Sequence, residues 1–320
     1  MAAVAERAPR ARRRDLFEDR RFLAPALIAP AVLFIFLLVG LPLLLAIYLS
    51  FTDATSGSLT GHFIGLRNFS NEWHNPIFRA ALWNTFWFTV ISQALVLVGA
   101  AVLAHALIKE FRGRWILRFL VLLPWAAPIA LGAIGWLWIL DSLYSVVNWS
   151  LVHTHTVAVA CGLFHVANCN QSNPPQWLGD TTLAKASIIA VHAWRILPFS
   201  TVIFIAGIAS IPKEVHDAAA VDGATGLRKF WFVSLPLQIP IATVALLFGI
   251  VFTATDMTVA YVLTHGGPFN STQMVTTWAF TTGIESGSLG SGAAISLFLL
   301  PVLAVVAIGM LVFARKAEVS

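Results

Sequence analysis

Residues 210–236 read Ser-Ile-Pro-Lys-Glu-Val-His-Asp-Ala-Ala-Ala-Val-Asp-Gly-Ala-Thr-Gly-Leu-Arg-Lys-Phe-Trp-Phe-Val-Ser-Leu-Pro, a polar stretch set between two long apolar segments. Its composition suits a docking surface rather than a membrane span. Pro212 fits the first position of a helix behind a Ser210 cap, the run from Lys213 to Asp222 holds no helix breaker, and Gly223 suits the left-handed residue that ends such a helix. Thr225 is placed to cap a second short helix, which Leu235-Pro236 closes. Ala218, Ala219 and Ala220 leave the first helix almost bare on one face, where the backbone of another protein can come close, and Asp217 and Asp222 flank that patch.

The sequence on either side is strongly apolar. With 58% hydrophobic and 11% charged residues, and a mean hydropathy of +0.81, the chain is an integral membrane protein rather than a soluble domain. About 20 residues cross the hydrocarbon core as a helix, and six stretches are long enough: 22–48, 80–108, 115–140, 183–211, 239–263 and 292–314. The period-2 alternation of a membrane barrel is absent. The apolar run from Phe22 exceeds the core of a signal peptide and reads as a retained first span. The domain plan is therefore a tail over 1–21, a six-span unit over 22–314 and a tail over 315–320, with connections near 51–79, 141–182 and 264–291 on one side and the 210–236 loop on the other.

Basic residues set the orientation. Arg7, Arg10, Arg12, Arg13, Arg14, Arg20 and Arg21 precede the first span, Lys109, Arg112, Arg114 and Arg118 follow the second, Lys213, Arg228 and Lys229 lie in the docking loop, and Arg315 and Lys316 end the chain. Only Arg67 and Arg79 fall in the alternate connections. The positive-inside rule then makes both termini and the docking loop cytoplasmic. A pI near 9.6 reports this topology and contact with anionic lipid headgroups. It does not point to nucleic acid, for which no folded basic domain is present.

Three motifs fall in order along the chain. Gly65-Leu66-Arg67-Asn68-Phe69 follows the first span, the docking loop follows the fourth, and Leu263-Thr264-His265-Gly266-Gly267-Pro268 turns the chain after the fifth. The docking loop resembles the "EAA" loop of ABC importer permeases, matched here by Asp217, Ala218, Ala219, Asp222, Gly223, Ala224, Phe230, Leu235 and Pro236. Asp217 stands where that pattern has glutamate, one methylene longer. The other two motifs are similar to the Gly-Leu-x-Asn-aromatic and Leu-Thr-x-Gly-Gly-Pro signatures of the maltose-type carbohydrate importers, on the sides of the membrane that the charges assign independently. The resemblance implies an all-α six-helix permease core with a cytoplasmic coupling helix, in a bacterial inner membrane. It also implies a second related permease, two ATPase subunits, an external solute-binding protein and a carbohydrate substrate. No cofactor belongs to this chain itself; ATP and Mg are expected on the partner ATPase, since there is no Gly-x-x-x-x-Gly-Lys-Ser/Thr and no paired catalytic carboxylates.

Polar groups inside spans are costly and so are candidate functional residues. In the fourth span His192, Trp194, Arg195 and Phe199 surround Pro198, which is expected to kink the helix where a cavity can form; in the fifth, Thr253 and Asp256 sit three apart and share a helix face. The resemblance implies that these two spans line the solute pathway. The alternative is a structural Arg195–Asp256 pair with His192 bonded to a carbonyl. Asn84, Gln93 and His105 read as helix–helix hydrogen-bonding groups. The 141–182 connection is expected to form a partly helical external cap. Its Cys161 and Cys169 are read as either free thiols, the preferred state, or a local disulfide, and the neighbouring histidines match no standard zinc pattern. Glycerol-phosphate or polyol importers share the same signatures. A proton-coupled secondary transporter built on Asp256 and Arg195 is the reading from another class.

Overall fold

A computed structural model describes residues 20–58, 60–166, 169–224 and 226–319. Most of the basic amino-terminal tail and the Thr225 cap lie outside the described residues. Helix α1 (Ala24–Ser50) leads through a loop and the short α2 (Arg67–His74) into α3 (Pro76–Ile108). Helices α4 (Arg114–Ala126) and α5 (Ile129–Ile139) meet at a bend of 99°. The short α6 (Val146–His153) and α7 (Val157–Phe164) make the 141–182 connection partly helical, and α8 (Thr181–Ala209) leads to the loop helix α9 (Lys213–Val221). Helix α10 (Phe230–Thr255) returns, followed by α11 (Thr258–Thr264), α12 (Val275–Phe280) and α13 (Leu289–Phe313). Among the described residues, five helices are long and apolar enough to cross a membrane, and the bent α4–α5 pair makes a sixth span if counted as one.

Local chemistry starts and stops these helices. Asn75 Oδ1 accepts from the Ile77 amide at 3.0 Å and Pro76 occupies the first turn of α3; Asp180 Oδ1 accepts from the amides of Thr182 and Leu183 at the head of α8. The expected third span is not continuous. Pro128 disfavours helix at Ala127, which is extended (φ −71°, ψ 143°), and the chain turns there. The expected fifth span also divides. It begins nine residues early, at Phe230, and ends at Thr255, because Asp256 leaves the helical conformation and its Oδ1 accepts from the Thr258 amide at 2.8 Å. Leu235-Pro236 does not close a short helix. Gly226–Lys229 continues into the π-helical turn Phe230–Ser234 and on through α10. A π turn immediately before a Leu-Pro pair recurs in α1, where Phe36–Gly40 precedes Leu41-Pro42. In both places the wider turn accommodates the proline ring and its missing donor.

Packing divides into three apolar clusters. Ala100, Ala104, Phe204, Ile208 and Ala245 join α3, α8 and α10. Phe88, Ile188, Val191, Val259, Leu263 and Met274 join α3, α8, α11 and the chain leading to α12. Phe78, Val275, Ala279 and Ile295 join α3, α12 and α13. Near this last cluster a Cβ built on Gly292 would lie 2.4 Å from the Gly283 Cα, so two backbones meet where only glycine fits. Asn68 fastens the first connection: its Nδ2 donates to the carbonyls of Ser50 and Thr52 at 2.9 and 2.8 Å. By contrast, the most apolar window of α1 has no buried residue, so this helix presents its surface to lipid or to another chain.

Candidate functional site

Two regions carry the sequence candidates. In the first, α8 and the break after α10 bring four of the six pathway residues into one polar cluster. Asp256 Oδ2 accepts from Arg195 Nη1 at 2.8 Å and from His192 Nδ1 at 3.0 Å. His192 Nε2 stands 2.9 Å from the Thr253 hydroxyl, which also accepts from Gln93 Nε2 at 2.5 Å. The His192 side chain is fully buried, Asp256 is 6% exposed and Arg195 18% exposed. Gln93, read from sequence as a helix–helix group, ties α3 to this cluster. Thr253 and Asp256 do not share a helix face as expected; they meet at His192 because the helix ends between them.

A hydroxyl has one proton and two acceptor sites. With the Thr253 proton on the Gly249 carbonyl, 2.7 Å away, the hydroxyl is free to accept from Gln93 and from the ring. With that proton turned to Nε2, the hydroxyl donates to the ring and Nδ1 is the ring's donor to Asp256. Either way Nδ1 is a donor, the Asp256 carboxylate remains an acceptor, and the guanidinium is charge-compensated.

Trp194 and Phe199 extend from the same helix in other directions. Trp194 packs edge-on against Trp136 of α5, and Phe199 stacks on Trp125 with Phe248 and Phe252 beside it. Helix α8 runs unbroken through Pro198. A narrow cleft at the α4–α5 bend, walled by Pro124, Ala127 and Gly132, reaches Trp194 and Arg195. Sequence reading missed this bend, and the spacing of Pro124 and Pro128 does not announce it, since Pro236 and Pro240 stand equally far apart in a helix that continues.

The second region is the loop helix. Lys213–Val221 is helical, and Gly223 takes φ +75° as the reversal requires. Pro212 precedes the helix instead of opening it, and Ser210 serves α8, donating to the Gly207 carbonyl at 2.8 Å. Asp217, Ala218, Ala220 and Asp222 are exposed, whereas Ala219 is turned inward, 6% exposed. Consecutive helical residues are about 100° apart, so three alanines cannot share one face. Ala218 and Ala220 flank the inward one. Val221 is 89% exposed, an apolar side chain presented beside the acidic pair that sequence reading did not single out. Ala224 is half-buried, its amide donating to the Ala219 carbonyl at 2.8 Å; Leu235 and Pro236 lie in the first turn of the helix that follows the π turn.

Cys161 and Cys169 are joined in a disulfide, with Cα atoms 5.7 Å apart, and not free as preferred from sequence. The eight-residue separation lets the end of α7 turn back on itself through His165, whose φ is +52°. No group of three or more metal-ligating side chains occurs among the described residues.

Residues 96–319 match the family described as "Binding-protein-dependent transport system inner membrane component". The sulfoquinovosyl glycerol transport system permease protein SmoG of Agrobacterium fabrum is 30% identical over 86% of this chain and 85% of its own length. The trehalose/maltose transport system permease protein MalF of Thermococcus litoralis is 31% identical over 73% of this chain and 74% of its own. The sn-glycerol-3-phosphate transport system permease protein UgpA of Agrobacterium fabrum is 28% identical over 86% and 88%. In fold the chain is similar to a crystal structure of a bacterial ABC transporter that imports alginate, with a TM-score of 0.74, 19% identity and coverage of 93% of this chain and 96% of that one.

Proposed function

We infer the function from one premise: the chain belongs to the family of binding-protein-dependent transport system inner membrane components, and so is a permease subunit of an ATP-driven ABC importer. From that membership we propose the finer assignments. Both termini and the 210–236 loop face the cytoplasm, and the 141–182 cap faces outside, where the Cys161–Cys169 bond would persist in an oxidising compartment. The chain pairs with a second related permease and two ATPases, which bind the ATP and Mg, and receives solute from an external binding protein. Helix α9 seats on an ATPase through Ala218, Ala220 and Val221, with Asp217 and Asp222 reaching basic partners. Closure of the ATPases moves α9 as a lever, and the spans exchange between inward and outward openings.

The cluster on α8 and α10, with the Phe199 stack, lines the solute pathway. Aromatic faces beside planar hydrogen-bonding groups suit a sugar, and the named relatives include transporters of both uncharged and anionic solutes. The observation that carries the choice is the Arg195–Asp256 contact at 2.8 Å: the cation at the cleft is already neutralised by a carboxylate that also accepts from His192. A phosphate that used the remaining guanidinium N–H groups would bring its negative charge beside the Asp256 carboxylate, whereas sugar hydroxyls can use them at no such cost. The solute proposed is therefore a neutral carbohydrate.

Reconstituting the assembled importer with its binding protein and measuring solute-stimulated ATP hydrolysis over a panel of neutral sugars, polyols and glycerol phosphates tests this. Neutral sugars should stimulate and glycerol phosphates should not. Stimulation by glycerol phosphates alone would replace this reading with the anionic one.

A further inference from the structure

A cavity of about 300 Å³ lies between α3, α8 and the turn after Pro268, with the Phe88 ring between it and His192 of the polar cluster. Its lining is graded along the helices. Towards the end that carries the 141–182 cap it is polar, with Asn84, Lys185 and Ser271; further along it is apolar, with Phe88, Ile91 and Ile188. At 1.5 Å per residue, Asn84 to Ile91 is a descent of roughly 10 Å on α3, and Lys185 to Ile188 roughly 5 Å on α8. Ser271 borders the cavity; its hydroxyl has no hydrogen-bond partner among the described residues and is buried behind the lining, so a ligand reaches it only once the side chain turns. Lys185 is exposed and makes no ion pair among the described residues. Trp83 and Trp87, 61% and 43% exposed, stand edge to face at the mouth. Tryptophans at this depth mark the membrane–water interface.

A cation and a side-chain amide at one end and an apolar floor at the other describe an amphipathic ligand with an anionic head. A sugar would leave the floor unmatched, and a simple anion would leave most of the cavity unfilled, since at about 30 Å³ per water-sized group it holds roughly ten such groups. We propose that this cavity binds an anionic phospholipid of the leaflet on the cap side, with the phosphate on Lys185, glycerol oxygens on Ser271 and Asn84, and the upper part of one acyl chain against Phe88, Ile91 and Ile188. The leaflet assignment rests on the orientation proposed above; the binding chemistry does not.

The same glycerol phosphate chemistry could come from a free solute, so the test separates the two sources. The full-length chain, extracted with its native partners in polymer nanodiscs, is offered equimolar phosphatidylglycerol and phosphatidylcholine of equal chain length, and retained lipid is read by native mass spectrometry. Wild type should retain phosphatidylglycerol about tenfold over phosphatidylcholine, because both carry the phosphate but only phosphatidylcholine sets a cationic choline beside it, which cancels the attraction to Lys185. Lys185→Gln should abolish the preference and Lys185→Arg should keep it; Lys185 is exposed, so neither change should disturb folding, which the yield of complex checks. Excess glycerol 1-phosphate should not displace the lipid. Equal retention of the two lipids by wild type, an unchanged preference in Lys185→Gln, or no retained lipid in the assembled complex would overturn the proposal. So would displacement by glycerol 1-phosphate, which would make the cavity a solute subsite and leave the permease assignment standing.

Discussion

Replacing Asp256 with alanine removes the acceptor on which the polar cluster turns. The carboxylate takes Arg195 Nη1 and His192 Nδ1 on one oxygen and the Thr258 amide on the other. Its loss strands an imidazole N–H with no solvent exposure and a guanidinium that is 18% exposed. Removing one partner of a buried pair costs about 3–5 kcal/mol. The lower end is expected here, because Arg195 borders the cleft and can turn toward water. Arg195→Ala should cost less, about 2 kcal/mol, since Asp256 keeps two of its three donors. Both losses are a large part of a total stability of about 5–15 kcal/mol. The double replacement should be less destabilised than the sum of the two by about 1–3 kcal/mol, because the guanidinium is no longer left without its carboxylate, although His192 Nδ1 still lacks its acceptor. Thermal unfolding of the purified complex, with its yield and solute-stimulated ATP hydrolysis, reads all four proteins. On the pathway reading the double mutant assembles better than Asp256→Ala yet gives the weakest stimulation. Strictly additive losses in stability would refute the coupling inferred from the 2.8 Å contact.

Three further substitutions probe other elements. Gly223→Val should uncouple ATP hydrolysis from transport more than Ala224→Val, because φ of +75° costs a residue with a Cβ about 1–2 kcal/mol and a β-branched one more, although open space surrounds the site; equal ATPase coupling in the two variants would contradict this. Ala220→Glu should block ATPase association while leaving the membrane domain folded, since the side chain is exposed on the loop helix, whereas Ala219→Glu should lower the yield of the permease itself, being turned inward; co-purification and yield separate the two. Gly292→Ala should lower the unfolding temperature, as its Cβ would lie 2.4 Å from the Gly283 Cα and 2.9 Å from the Ala279 carbonyl oxygen, an overpacking of about 1–3 kcal/mol; an unchanged midpoint would mean the two backbones separate at no cost.

Apolar length was legible because a span needs only enough consecutive hydrophobic residues. Helix continuity was less so. Pro128 breaks the third span, while Pro42 and Pro236 are absorbed by π turns and Pro198 by an unbroken helix, and nothing in the prolines themselves distinguishes these outcomes. The cluster was half legible. Arg195, His192 and Asp256 announce themselves by their cost in an apolar run, but their meeting depends on α10 ending at Thr255, a choice made by the carboxylate capping Thr258. Gln93 joins from another helix, where only three-dimensional packing could reveal its role. The three alanines were visible, but the face each one occupies follows from where the helix rests on the body of the protein. Val221 was overlooked because an exposed valine in sequence looks like any other.

The central claim is ATP-driven import of a neutral carbohydrate through this permease. Proteoliposomes containing the chain with its second permease and ATPases, supplied with labelled sugar and the binding protein outside and ATP inside, test it most directly. Uptake should require both ATP and binding protein and should be unaffected when a protonophore collapses the proton gradient. Uptake that proceeds without ATP and is abolished by the protonophore would contradict the account and assign Arg195 and Asp256 to proton coupling.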